Sequence, residues 1–246
     1  MPNAPERSRS WKPWVIGGVI AFLVLAVGGP FVYFHFVEGK SPGKLTLPAV
    51  TTTTRAPGAA GGSTTPATAA ALAGTWKIGK GSTVGYRVQE TLVGQSHTAV
   101  GRTSSVTGSM TISGTTVTKA SFSVDMTTFT SNGPDHGIRD DQFQHRIMDT
   151  ASYPTATFVL TKPIDLAPVP ADGTVKSYPA TGRLTMHGTT RTATIPLNSR
   201  RTGNAIAVQG VLPVTFSDFN ISNPSGGPAS VGDSGQLELL LQFQPS

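Results

Sequence analysis

The 246-residue sequence predicts an all-β C-terminal domain: about eight antiparallel strands closed into a barrel, broken once by a short helix. Three observations predict it. From Thr75 to Phe243, run after run alternates apolar and polar residues, which places the apolar side chains on one face of each strand. The runs are joined mainly by Gly-containing turns. One stretch, Ile138 to Phe158, departs from the period of two and repeats at helical spacing instead. Such runs fit a sandwich or a barrel. Their length, roughly six to twelve residues, and their hairpin-like order favour closure, which removes exposed strand edges. A barrel of about eight strands has room for one small ligand.

Taken in order, residues 1–13 form a basic tail, with Arg7, Arg9 and Lys12 against Glu6. Trp14 to Val37 follows, 24 residues without Asp, Glu, Lys or Arg. As a helix this stretch would measure about 36 Å, enough to cross a hydrocarbon core of about 30 Å. Trp11 and Trp14 stand at one edge and Tyr33 near the other, where interfacial aromatics belong. Residues 14–37 are therefore expected to be an uncleaved, single-pass signal anchor in the cell membrane. The basic flank puts the N-terminus in the cytoplasm and the C-terminal domain outside. A cleaved signal peptide is the alternative, but it calls for a shorter apolar core and a small-x-small cleavage site. Residues 38–74 are Thr, Ala, Gly and Pro with few large apolar side chains, too few to pay for folding, and read as a disordered linker. As a flexible coil, the part from Ser41 to Gly74 would reach about 30–35 Å.

Residues 75–246 carry the barrel. Its inward face is expected to hold Val84, Tyr86 and Val88, then Met110, Phe122 and Val124. Phe158, Leu160, Leu184 and Met186 follow, then Val208, Leu212, Val214 and Phe216, and last Leu239 and Leu241. These side chains line either an apolar lumen or a filled core. The spacing of Ile138, Gln142 and Arg146, and of Phe143 and Ile147, predicts a helix from Arg139 to Met148. Asp140 and Asp141 lie near its start and Arg146 near its end, as a helix dipole favours. Such a helix can lie across an open barrel end or pack on its flank. Tyr153-Pro154 excludes helix at Tyr153 and starts an extended segment, Thr155 to Thr161. His187-Gly188 reads as a turn, and Asn223 to Pro228 as a connecting loop.

Composition narrows the chemistry. The chain has no cysteine, which excludes a disulfide framework, a thiolate metal site and a Cys nucleophile. The net charge of +6 is unevenly spread: residues 1–74 hold six Lys/Arg against two Asp/Glu, and residues 75–246 thirteen against eleven. The barrel is thus nearly balanced and lacks the basic stripe that nucleic-acid binding needs. His97, His136, His145 and His187 show no paired ligand spacing, so no metal site is expected. No serine lies in a nucleophile elbow, so no catalytic residue is assigned.

Several segments resemble the YceI-like family. They are Trp76, Ser82 to Val88, Val100-Gly101-Arg102, Arg139-Asp140, Ile147-Met148-Asp149, Tyr153-Pro154, Phe158 and the hairpin Gly182 to Thr190. Their order and spacing cover nearly all of residues 75–244. The resemblance implies an extended, lipocalin-like antiparallel barrel that holds a long isoprenoid or other amphiphilic lipid in its lumen. It implies a binding protein rather than an enzyme, with no cofactor. A polar head group would need donors at the mouth, and Arg87, Arg102, Arg139 and His145 are the candidates. Arg87 is out of step with the apolar face and would need a bulge to turn inward. The alternative is a solid-core envelope module that shows its loops to a protein partner.

Overall fold

The computed structural model describes residues 41–49, 72–92, 94–133, 136–226 and 229–246. The expected anchor over residues 14–37 lies outside them, as do the basic tail and residues 50–71 of the linker. Among the described residues no helix is long and apolar enough to cross a membrane.

The described chain forms thirteen strands: β1 Gly74–Ile78, β2 Thr83–Leu92, β3 Gln95–Thr103, β4 Val106–Ser113, β5 Thr116–Asp125, β6 Thr130–Ser131, β7 Thr155–Leu160, β8 Ile164–Asp165, β9 Val175–Met186, β10 Thr189–Thr202, β11 Ala205–Thr215, β12 Ala229–Val231 and β13 Ser234–Pro245. They make eight positions in a closed antiparallel ring. β5, β7, β9, β10, β11 and β13 follow one another, and β13 then pairs with both β1 and β2. Along β13, β2 faces residues 236–240 and β1 faces residues 243–245, so β1 and β2 share one position. β3 and β4 share the next, and β6 continues β5 in the third. The joins in these three positions lie side by side. At the first, the Ser82 hydroxyl stands in for a backbone acceptor, taking the Gln242 N–H at 2.9 Å. The ladder is thus carried across the break without an orphaned buried amide.

Alternation places the core as predicted. In β11, Ile206, Val208, Gly210, Leu212 and Val214 share the inward parity, and in β13 Leu237, Leu239, Leu241 and Phe243 do. The β9–β10 turn is His187-Gly188, both at positive φ (49° and 70°), the geometry of a tight two-residue hairpin. Large inward rings lie over inward glycines: Tyr86 over Gly101 and Phe158 beside Gly182. A side chain at either glycine would occupy the ring's own volume.

The helix differs from expectation. An α-helix, α1, spans His136–Asp141 and passes directly into a π-helical turn, Gln142–Ile147. The helix thus starts ahead of Arg139 and its second half is wide-turned. Asp140 does not serve the helix start; its Oδ1 takes both the amide (2.7 Å) and the hydroxyl (2.6 Å) of Ser131. The wider turn brings Phe143 into the core, where it stacks on Tyr86 with ring centroids 5.0 Å apart and on Phe129 at 5.1 Å. Of the two placements open to it, the helix takes the one across the barrel end.

Part of the segment expected as linker lies against the barrel wall. Glu238 has outward parity on β13, yet it is 0 % exposed. Gly85 stands between it and Arg102 in register, and the missing side chain lets Arg102 reach across β2. Arg102 Nε donates to Glu238 Oε1 at 2.8 Å, and the Leu45 amide donates to Oε2 at 3.2 Å. Arg87 Nη1 donates to the Pro42 carbonyl at 2.8 Å, Arg102 Nη2 to the Gly43 carbonyl, and the Ser41 hydroxyl to the Thr98 carbonyl at 2.7 Å. Residues 41–45 thus form a strap over a buried carboxylate. Replacing Glu238 by glutamine keeps the shape but removes the charge from these bonds. It should cost about 1–2 kcal/mol, since hydrogen bonds to a charged group exceed neutral ones by about that much. Denaturant unfolding reads the loss, and amide exchange at Leu45 should quicken; unchanged exchange there would contradict the strap.

Candidate functional site

Among the described residues, two apolar chambers lie in line along the barrel axis. The larger, about 400 Å³, lies under α1 and the π turn. Its walls include Tyr86, Val88, Leu92 and Ala99 from β2 and β3, with Met126 and Phe129 from the turn after β5. Phe143, Ile147 and Met148 roof it, and Met186, Val214, Phe216 and Leu237 complete the wall. The smaller, about 120 Å³, lies toward the other end, among Met110, Phe122, Phe158, Leu160, Val208, Leu239 and Leu241. Residues 164–170 close that end. A chamber of the larger size falls within the usual range for small-molecule sites, about 300–1,000 Å³, and the smaller falls below it.

Four of the residues expected in the lumen, Val84, Val124, Leu184 and Leu212, line neither chamber. Each belongs to the core, and their strand positions lie between the two spaces. On β5 and its extension, Phe122 lines the smaller chamber, Val124 follows, and Met126 lines the larger. On β11 the order is Val208, Gly210, Leu212, Val214. These side chains form a waist. The expected single lumen is therefore divided, because alternate strands of the ring, β2, β5, β9 and β11, bring large inward residues to one level. The other twelve residues of that expected face all line one chamber or the other.

Polar groups are few. In the larger chamber Arg139 Nη1 donates to Glu90 Oε1 at 2.7 Å, tying α1 to β2. Glu90, on another element, is thus a partner of Arg139. Tyr86 lies deep in this wall. Burial first, and then the nearby Asp140, push its phenol far above the ordinary value of 10.0. In the unfolded chain the phenol ionises near 10, whereas in the fold it stays neutral. The stability this holds is complete below pH 10 and is lost as pH rises beyond it. Unfolding measured from pH 8 to 11 should fall steeply above 10, and Tyr86→Phe should flatten that fall; an equally steep fall in the variant would contradict the assignment. In the smaller chamber, burial also raises the Tyr178 phenol, with Asp165 adding to the rise. Tyr178 Oη and Arg201 Nη1 are buried there without a hydrogen-bond partner among the described residues.

Of the expected head-group donors, only Arg139 reaches a chamber. Arg87 and Arg102 keep the outward parity of their strands and are engaged by the strap and Glu238. No bulge turns Arg87 inward. His145 faces out, 3.6 Å from Asp141, with its side chain 69 % exposed. Among the described residues no cluster of His, Asp and Glu could hold a metal ion. Sequence reasoning did not find Leu92, Ala99, Met126, Phe129 or Pro224 as lining residues. The alternation through Val88 to Leu92 carried a signal for Leu92, and that of Phe122, Val124 and Met126 one for Met126; the other three lie in segments with little apolar periodicity.

Comparison with known proteins agrees with this architecture. The sequence profile of the YceI-like domain matches residues 76–243. A polyisoprenoid binding domain from Saccharophagus degradans, implicated in plant cell wall breakdown, superposes with a TM-score of 0.55 at 19% identity. The match covers 70% of this chain and 98% of that one. Burkholderia cenocepacia BcnA gives a TM-score of 0.49 at 24% identity, covering 65% of this chain and 95% of its own. No curated protein matches.

Proposed function

The chain belongs to the YceI-like domain family, and from that premise we propose that its barrel binds the apolar chain of an isoprenoid or other amphiphilic lipid, without catalysis. The observation that carries the reading is the larger chamber: about 400 Å³, walled by aliphatic, aromatic and methionine side chains. Burial of each CH₂ favours binding by about 0.8 kcal/mol and asks little of chain identity. The polar end of the ligand would sit near Arg139 and Glu90. These neutralise each other, so head-group charge is weakly selected. A chain too long for this chamber reaches the smaller one only by parting the waist. Methionines help here, since their flexible thioethers adapt to different chains. We further propose that residues 14–37 tether the domain to the outer side of the cell membrane.

Native mass spectrometry and lipid extraction on the protein purified from its own cells test the reading. A co-purified prenyl or acyl lipid is the expected result. A protein that carries none, and that also ignores added polyprenyl lipid, would end it.

A further inference from the structure

We propose that the chamber rim around α1 is a bilayer-docking surface, through which the apolar chain passes directly between membrane and barrel. The inference rests on the proposed anchoring and chain-binding, and it assigns the entry face. Ile138 stands on α1, which roofs the larger chamber, and is 65 % exposed, the most exposed large apolar side chain among the described residues. It borders the same cavity as Leu92, Pro224 and Val231, so the opening has an apolar edge. Of the acids near it, Glu90 holds Arg139 and Asp140 holds Ser131, while Asp141 is exposed beside His145.

A second observation points to the same end. Ser41 is bonded to Thr98 on β3, next to Ala99 of the larger chamber. From there the strap runs toward the waist, through Gly43 at Arg102 to Leu45 at Glu238. Ser41 therefore lies near the rim. An uncharged 24-residue stretch lies upstream in the sequence. A lipid bilayer is thus the partner that fits: an apolar edge on an apolar cavity, in a chain that also carries a stretch long enough to span a membrane.

The absence of cysteine allows a direct test with single labels. In the full chain, Ile138→Cys and Val175→Cys would each carry a fluorophore. Val175 is the control, 49 % exposed and next to Thr174 of the smaller chamber. The proteins are reconstituted in phosphatidylglycerol–phosphatidylethanolamine vesicles with doxyl groups on the acyl chains. The label at 138 should be strongly quenched and that at 175 not. Equal quenching at both, or quenching at 175 alone, overturns the proposal. Vesicle flotation separates this from failure of the anchor. A chain that does not float defeats the anchor reading, and quenching at 138 with vesicles in excess still decides the docking claim.

Discussion

Replacing Ala99 by tryptophan should abolish lipid capture while leaving the barrel folded. Ala99 lies opposite Val88 on the inward face and borders the larger chamber. An indole there occupies space that the parent leaves open, so it displaces a ligand chain without displacing core side chains. Affinity for an added polyprenyl lipid should fall at least about a hundredfold, which is about 2.7 kcal/mol. Ala120→Phe is the matched control, since Ala120 borders the smaller chamber. It should weaken only chains long enough to pass the waist. Titration by intrinsic tryptophan or ligand fluorescence separates the two. Undiminished binding in the Ala99 variant would place the ligand elsewhere.

A large effect on stability is expected at Gly182. A Cβ there would overlap the Phe158 ring and also the Val159 backbone carbonyl on the neighbouring strand. The first can rotate; the second belongs to the β7–β9 ladder and cannot move alone. Gly182→Ala should therefore cost about 2–3 kcal/mol, near the upper end for overpacking. For a domain of this size that is about 5–10 °C in melting temperature. Adding Phe158→Leu should recover only part of it, because the backbone contact remains. Gly101→Ala makes the contrast. The three atoms nearest its added methyl all belong to the Tyr86 ring. Adding Tyr86→Leu should there restore most of the loss. Thermal unfolding of the four variants checks both statements; full rescue at Gly182 would show that the strand, not the ring, gives way.

The inward face was legible because a period of two is hard to produce except by a half-buried strand. Ile206 to Val214 and Leu237 to Phe243 show it plainly. The first half of β9 was hidden by Pro179, which argues against a strand interior. In the structure Pro179 faces Pro196 across β9–β10, beyond the reach of the β7 and β11 ladders, so neither N–H is missed. β3 was hidden for another reason: Gln95 to Thr103 is mostly small and polar, with Val100 its lone large aliphatic residue. Aromatic rings from other elements supply the bulk over it. The waist was beyond sequence reasoning, because it depends on which strands bring large residues to one height. The strap was disguised by composition. Apart from the Ser41 hydroxyl, its binding uses backbone carbonyls and one amide, groups that nearly every residue carries, so Pro42 and Gly43 look like any spacer. The helix was legible as helix, but its wide second half was not, since a π turn follows from where Phe143 must pack.

Methionine methyl resonances offer the most direct measurement of ligand position. Met126, Met148 and Met186 line the larger chamber and Met110 the smaller. With ¹³C-methyl methionine and a short prenyl or acyl lipid, the three should shift and show ligand contacts, while Met110 stays in place. Shifts at Met110 alone, or at none of the four while lipid is bound, would contradict binding in the chamber beneath α1.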